Sequence, residues 1–399
     1  MKHWKPYIER QRPEYRKVVF PPALNAEMVV VIPCFNEPDL FDTLHSLRNC
    51  LRPDVNLLTV IVFNSGEHSD KKAVEQNRLS YEQALLFADR YNEACFHFFS
   101  LLFEQLPGKH AGVGLARKIG MDLAVAHFQH NDNARGIIVS LDADCTVSEN
   151  FLVTIFEAFS EDKRLNTTLH NFSHRVAKND PQMENAVRQY EDYIRYFREM
   201  LKQTGFPYYY HTIGSAFAVT ADAYVRVGGM GRQQGGEDFY FLQKVFALGN
   251  VKELHDTFVY PMARFSDRVP FGTGPALQKI MKEPDGIMRV YSAKSFHELK
   301  HLFCMKDSFF RMEEKELLSM IHKLDNSLVE FLLMTGFSDQ IADCNRNSAS
   351  LATFQKRFFH HFNAFRIIKY LNFSHPDPFP YQKSMNYEVI DEVNKASLI

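Results

Sequence analysis

The chain contains no apolar run near the roughly 18 residues needed to span a bilayer. Its first residues, Met1 to Lys17, carry too much charge and too little apolar core for a signal peptide. The six cysteines, Cys34, Cys50, Cys95, Cys145, Cys304 and Cys344, are scattered without C-x-x-C spacing. That argues against a zinc site or a disulfide framework and fits a reducing cytosol. A formal charge of −2 gives no electrostatic case for nucleic acid as a partner. No G-x-G-x-x-G follows the first apolar run and no Walker A sequence is present, which sets aside the usual dinucleotide and P-loop folds. Internal repeats and low-complexity segments are also missing. Tryptophan occurs once, against 36 Phe and 17 Tyr, and much of the Phe sits at helical spacing, where core packing is the expected use. These absences leave a soluble cytoplasmic protein, with peripheral contact to the inner face of a membrane still open.

At 399 residues the chain can bury a large core and carry one big domain with an appendage. The pattern suggests an N-terminal arm over 1–26, a main α/β domain over 27–275 and a mainly helical region over 276–399. Met28 to Phe35 and Leu57 to Phe63 are short, β-branched and apolar, as buried strands are. Between them, Leu40, Phe41, Leu44, Leu47 and Leu51 recur at helical spacing, with Pro53 as a stop. Strand, helix, strand with short turns implies a parallel pair joined by a right-handed crossover. A helical insertion is expected at about 68–108, followed by a helix over Leu115 to Phe128 and a strand at Gly136 to Leu141. Phe151 to Phe159, Glu184 to Gln203, Ala221 to Val227 and a segment opening at Gly235 read as helices, and Asn166 to Phe172 and Ile213 to Val219 as strands. The class is α/β, a Rossmann-like mostly parallel sheet flanked by helices.

Asp142-Ala143-Asp144 stands at the C-terminal end of a predicted strand, where open α/β sheets bind ligands. In extended backbone residues i and i+2 share a side, so the two carboxylates can converge on one hard cation such as Mg²⁺ or Mn²⁺; the plainer use of Asp there is turn formation. Asn36, Glu37 and Asn64 also lie at strand C-termini, suited to a nucleoside or to turns. Gly112-Val113-Gly114 with Arg117 combines close backbone approach, a helix N-terminus and a guanidinium, a credible diphosphate cradle. Gly235-Gly236-Glu237-Asp238 places two acids at a helix start, as N-caps or as a general base.

The ordered series P-x-F-N-E, Asn64-Ser65, G-V-G-L-A-R, D-A-D, V-G-G-M and G-G-E-D resembles the family 2 glycosyltransferases of the GT-A fold, over roughly residues 27 to 260. The resemblance implies a nucleotide-diphospho-sugar donor and a divalent metal, Mn or Mg, held chiefly by Asp144. Asp142 would ligate it too, or reach the ribose or a metal-bound water. It implies donor contacts from Pro33, Phe35, Asn36, Glu37, Asn64, Arg117, Asp142 and Ala143. Asp238 would be the base and Glu237 would orient hydroxyls, in a single displacement with inversion at the sugar. The acceptor would be a carbohydrate, a polyol or a lipid-linked molecule. Two departures stand out: Asn64 replaces a common Asp, and the connection after Gly66 is long enough to suggest a lid or acceptor surface. A third metal ligand would come from His255, Asp256 or Asp267.

The rival readings are a nucleotidyltransferase or sugar pyrophosphorylase, and a sugar-nucleotide-binding module without activity. The first is expected to carry a Gly-rich basic loop where Cys34-Phe35-Asn36-Glu37 stands. Near the C-terminus, Phe354, Phe358, Phe362, Phe365 and Ile368 fall on one helical face, which would either pack against protein or lie on a membrane surface.

Overall fold

Four neighbouring parallel strands, β1 (Met28–Cys34), β2 (Leu57–Gly66), β3 (Phe96–Leu106) and β4 (Ile137–Ser140), build one half of an eight-stranded sheet. β1 and β4 are buried at every position and β2 at all but its last, which is why they read as unbroken apolar runs. The computed structural model describes residues 4–10, 24–108, 111–177, 179–233, 235–265 and 272–383. By its contacts the chain divides into one unit of Met1–Asn179 with Thr212–Pro275 and a second of Asp180–His211 with Ala276–Ile399. Among the described residues no helix is long and apolar enough to cross a membrane.

The full strand order is β3-β2-β1-β4-β7-β6-β8-β5. The second half of the sheet comprises β5 (Cys145–Val147), β6 (Thr167–Phe172), β7 (Phe217–Thr220) and β8 (Val251–Pro261). β7 runs antiparallel to both β4 and β6, β6 and β8 are parallel, and β5 is antiparallel to β8. In the first unit the helices are α1 (Trp4–Glu9), α2 (Leu40–Arg48), α3 (Lys71–Tyr91), α4 (Val113–His130) and α5 (Phe151–Glu161). After α6 (Pro181–Gln203) of the second unit come α7 (Ala221–Arg226) and α8 (Glu237–Phe246). The mixed, largely parallel sheet with flanking helices agrees with the α/β class expected from the sequence.

The strand order diverges at β1, whose neighbours β2 and β4 lie on opposite sides. β4 leaves β1 at Val31↔Ser140, while β2 continues beside it to Cys34↔Phe63. The Val31 carbonyl accepts from the Leu141 amide at 3.1 Å, so odd-numbered residues of β1 face β4. Pro33 therefore points its missing N–H at a side where the ladder has already ended, and no strand hydrogen bond is lost. The gap opened there is the crevice in which doubly wound sheets place ligands.

One expected element is corrected. The 68–108 segment is not a helical insertion: only α3 is helical, and Phe96–Leu106 is the edge strand β3, parallel to β2. The Phe-rich run had suggested a helix. A strand buried on one face shows the same density of apolar residues, and here Asn92 closes the helix and turns its side chain onto the strand. Its Oδ1 accepts from the Phe98 amide at 2.7 Å. The long connection after Gly66 is thus an ordinary β-α-β crossover, and its length no longer marks a lid. Two further strands of this sheet went unread, β5 because it has three residues and β8 because Lys252, Glu253, His255 and Asp256 hide its pattern.

Among the described residues the second unit is helical apart from the two-stranded pair β9 (Arg289–Val290) and β10 (Gln382–Lys383). Its helices after α9 (Thr273–Lys282) are α10 (Ala293–Met305), α11 (Glu314–Ile321), α12 (Asn326–Met334), α13 (Phe337–Arg346), α14 (Leu351–His361) and α15 (Ala364–Phe373). The single Phe-faced helix of the C-terminal region is two helices, because Asn363 caps α15 by accepting from the Arg366 amide at 3.1 Å. Phe354, Phe358 and Phe362 are buried, with Phe358 and Phe362 edge-on to Phe303. Those three rings are therefore part of this unit's core, whereas Phe365 is exposed and Ile368 half-buried on α15.

Candidate active site

The loop after β1 is shaped by Asn36, which adopts a left-handed φ of 48°, a conformation Asn tolerates better than most residues. Its amide donates to Asn77 Oδ1 at 3.1 Å, and Asn77 Nδ2 donates to the Asn64 carbonyl at 3.4 Å. Asn77, buried on α3, thus ties the ends of β1 and β2 together; nothing in its helical sequence context marked it. Asn64 reaches the other way, with Nδ2 donating to the Gly112 carbonyl at 3.4 Å. Phe35 and Asn36 are half-buried at the crevice, whereas Pro33 is buried within β1. Glu37 is also buried, and its Oε1 accepts from the Asp39 amide at 3.2 Å.

Asp142-Ala143-Asp144 is a turn rather than a continued strand: the Cys145 amide donates back to the Asp142 carbonyl at 3.2 Å. The expectation of extended backbone through Asp142–Asp144 is therefore corrected. Asp142 Oδ1 lies 2.5 Å from Arg117 Nη2, and Asp144 Oδ2 lies 3.3 Å from Arg264 Nη2. Ala143 is buried, and its carbonyl accepts from Thr43 Oγ1 at 2.8 Å, which anchors the turn to α2. Burial, with the carboxylates of Asp142 and Glu37 nearby, pushes the Asp144 pKa up to about 6 against the opposing pull of Arg264.

Arg117 is neither a surface residue nor an open cradle. It is 2% exposed and is held between Asp142 and Glu237, to which Nη1 donates. Burial alone would weaken its charge, but Asp142, Glu237 and Asp238 outweigh that and hold its pKa above the ordinary guanidinium value. The two strands of sequence that meet there need glycine. A Cβ on Gly114 would stand 2.2 Å from the Gln233 carbonyl oxygen and 3.1 Å from Glu237 Cγ. Glu237, 2% exposed, therefore lies beneath the crevice as the partner of Arg117.

Asp238 stands at the start of α8 behind Gly236, whose φ of 73° turns the chain into the helix. Its Oδ1 accepts from the Phe239 amide at 2.7 Å. Burial and the adjacent Glu237 carboxylate push its pKa up to about 7, although Arg117 and the amide bond oppose them. Its other oxygen faces Gly214, where a Cβ would come within 2.9 Å of Asp238 Oδ2 and 3.1 Å of Arg117 Nη2. The Gly214 carbonyl accepts from Ser140 Oγ at 2.6 Å. A lone glycine inside an apolar run was the available signal for this close approach.

Arg264 was also missed. It follows β8 in a stretch without periodicity, but the Met262 amide donates to the Asp144 carbonyl at 3.2 Å, which sets Arg264 beside the turn. Its Nη1 donates to Glu37 Oε1 at 2.6 Å, Nη2 bonds Glu37 Oε2, and Asp39 lies at 3.6 Å. Two of the three candidates for a further metal ligand are corrected by the same strand. His255 and Asp256 sit in a register shift of β8, their carbonyls bound by Asn171 and Asn150. Six residues of strand separate Asp256 from Met262, on the order of 15–20 Å at about 3.3 Å per residue. Asp267 lies outside the described residues. Among the described residues no three Asp, Glu, His or Cys side chains are grouped to hold a metal ion.

The crevice thus brings Asn36, Glu37, Asn64, Arg117, Asp142, Asp144, Glu237 and Asp238 together around the C-terminal ends of β1, β2 and β4. Six carboxylates there, counting Asp39, share the guanidiniums of Arg117 and Arg264.

No family model and no curated protein matches the chain. Among solved structures it is similar to S. aureus TarS residues 1–349 in complex with UDP-GlcNAc, at 12% identity and a TM-score of 0.41, covering 85% of this chain and 91% of that one. It is also similar to GalNAc-T7 with UDP, GalNAc and Mn²⁺, at 14% identity and a TM-score of 0.37, covering 73% of this chain and 54% of that one. Identities of this size, with TM-scores below 0.5, leave the case for the site on its own geometry.

Proposed function

We propose that the chain is a GT-A glycosyltransferase that moves a hexosyl group from a nucleotide-diphospho-sugar to an acceptor hydroxyl of a carbohydrate, polyol or lipid-linked molecule. The observation that carries this reading is Asp238. It is a carboxylate at a helix start on the crevice, raised to about 7 and lying in the field of Arg117, whose hydrogen bonds go to Glu237 and Asp142. A base poised near neutral pH is suited to take a proton from an attacking hydroxyl.

In the reaction the acceptor oxygen forms a bond to the anomeric carbon while the bond from that carbon to the phosphate oxygen breaks. The electron pair leaves with the nucleoside diphosphate, the acceptor proton passes to Asp238, and configuration inverts. Arg117 serves as a positioning residue that holds Asp142 and Glu237. Phe35, Asn36 and Asn64 line the place for the nucleoside.

The divalent ion implied by the family resemblance meets hard oxygen donors here, but Glu37, Asp39 and Asp144 converge on the guanidinium of Arg264, which stands where an ion would. The turn at Asp142–Asp144 directs the two acids to separate guanidiniums, and the carboxylates that share a partner with Asp144 are Glu37 and Asp39. These residues do not fit the ion, and no step is derived through it.

The test is a thermal-shift screen of UDP-, GDP- and dTDP-sugars, each with and without Mn²⁺. One nucleotide class should raise the melting temperature, and silence across the screen would remove the reading. Asp238→Asn should abolish transfer and leave donor binding within about twofold; retained turnover would reject Asp238 as the base.

A further inference from the structure

We infer that Arg264 is the fixed cation of the donor site, so that its guanidinium rather than a divalent ion meets the diphosphate of the sugar nucleotide. This rests on the glycosyltransferase reading above. Of the two arginines paired with acids in the crevice, Arg117 is enclosed, with 3% of its side chain exposed and both Nη groups committed to Glu237 and Asp142. Arg264 keeps 29% of its side chain exposed while its Nη groups reach Glu37 on one flank and Asp144 on the other. It therefore stands between the loop after β1 and the Asp142–Asp144 turn, where both acids converge on one positive charge.

The position is built rather than incidental. Met262 and Ala263 are tied by their amides to the carbonyls of Asp144, at 3.2 Å, and Arg175, at 2.8 Å. Arg175 donates in turn from Nη2 to the Asp144 carbonyl and from Nε to the Tyr260 carbonyl, both at 3.2 Å. Those bonds fix two of the five N–H donors of Arg175 on backbone oxygens, so its charge lies beside the turn as a second positive contribution. Of the five guanidinium N–H donors of Arg264, three are directed at Glu37 and Asp144, which leaves Nε and one N–H of Nη1, beside Asp39, to meet phosphate oxygen in the same plane. For a divalent ion to reach Asp144 it would have to displace a cation that Glu37 holds through two hydrogen bonds.

Isothermal titration of the full chain with the nucleoside diphosphate chosen by the screen, in EDTA and again in Mn²⁺, tests the assignment. Wild-type affinity should agree within about threefold between the two conditions. Arg264→Gln should weaken binding in EDTA by about tenfold to a hundredfold, the range for losing a hydrogen bond to a charged group. Arg264→Lys should recover part of the loss and, with a melting temperature near wild type, exclude a folding defect. Binding that needs Mn²⁺ in the wild type, or Arg264→Gln binding in EDTA as tightly as wild type, overturns the role of Arg264 and leaves the transferase reading standing. No binding in either condition overturns both.

Discussion

Asp238 carries the sharpest consequence at the scale of single residues. Its pKa is raised to about 7 by burial and by Glu237, so below that pH the carboxyl is protonated and has no pair to accept the acceptor's proton. The sign is therefore a rise of kcat/KM with pH through about 7 and a plateau above it, read in the free enzyme. A limb near 4, where an ordinary carboxylate titrates, would show that Asp238 does not act as the base. Much of this site was legible in the sequence, because strand ends and helix starts mark where Asn36, Asn64, Asp142, Asp144 and Asp238 must lie. The partners were not. Arg264 and Asn77 come from segments distant in sequence whose local pattern carries no sign of the contact, and Gly214 is informative only once Asp238 is known to face it.

At the scale of elements, the meeting of α4 with the segment before α8 depends on a missing side chain. Gly114 lies in the first turn of α4, and alanine there would favour the helix by up to about 1 kcal/mol if nothing opposed it. The opposing contact is a backbone oxygen, Gln233 O, which a Cβ would approach to 2.2 Å. Backbone cannot rotate aside as a flexible side chain can, so the clash wins, with a cost of about 1–3 kcal/mol as for other overpacked positions. Gly114→Ala should lower stability by that amount in urea and reduce turnover together, since the same displacement moves Glu237 and with it Arg117. Unchanged stability would mean the two segments are not in the contact described. The elements that the sequence hid fail for related reasons. β3 is an edge strand whose apolar density resembles a helix, and β8 is a strand whose exposed face is charged. In each, pairing partners far along the chain decide what local composition leaves open.

For the whole molecule, the division into units matters more than the position of any one boundary. The second unit is discontinuous: Asp180–His211 leaves the sheet-bearing unit between β6 and β7 and clusters with the residues from Ala276 onward. In α6, Met183, Ala186, Val187, Tyr196, Met200 and Leu201 are buried. Tyr196 donates to the Tyr291 carbonyl at 2.8 Å, and Phe197 and Tyr196 pack against Phe296 at centroid distances of 5.9 and 6.2 Å. Burying one such side chain contributes about 1.5–3 kcal/mol. A chain ended after Pro275 keeps α6 but lacks Tyr291 and Phe296, so part of this apolar face would be returned to water on an otherwise folded sheet unit. Such exposed patches drive association. The truncated chain should bind a hydrophobic dye strongly and elute as aggregates, while the full chain does neither. A truncated chain that is monomeric and unfolds cooperatively would show that α6 is satisfied without the residues after 275, contrary to the contacts that define the second unit.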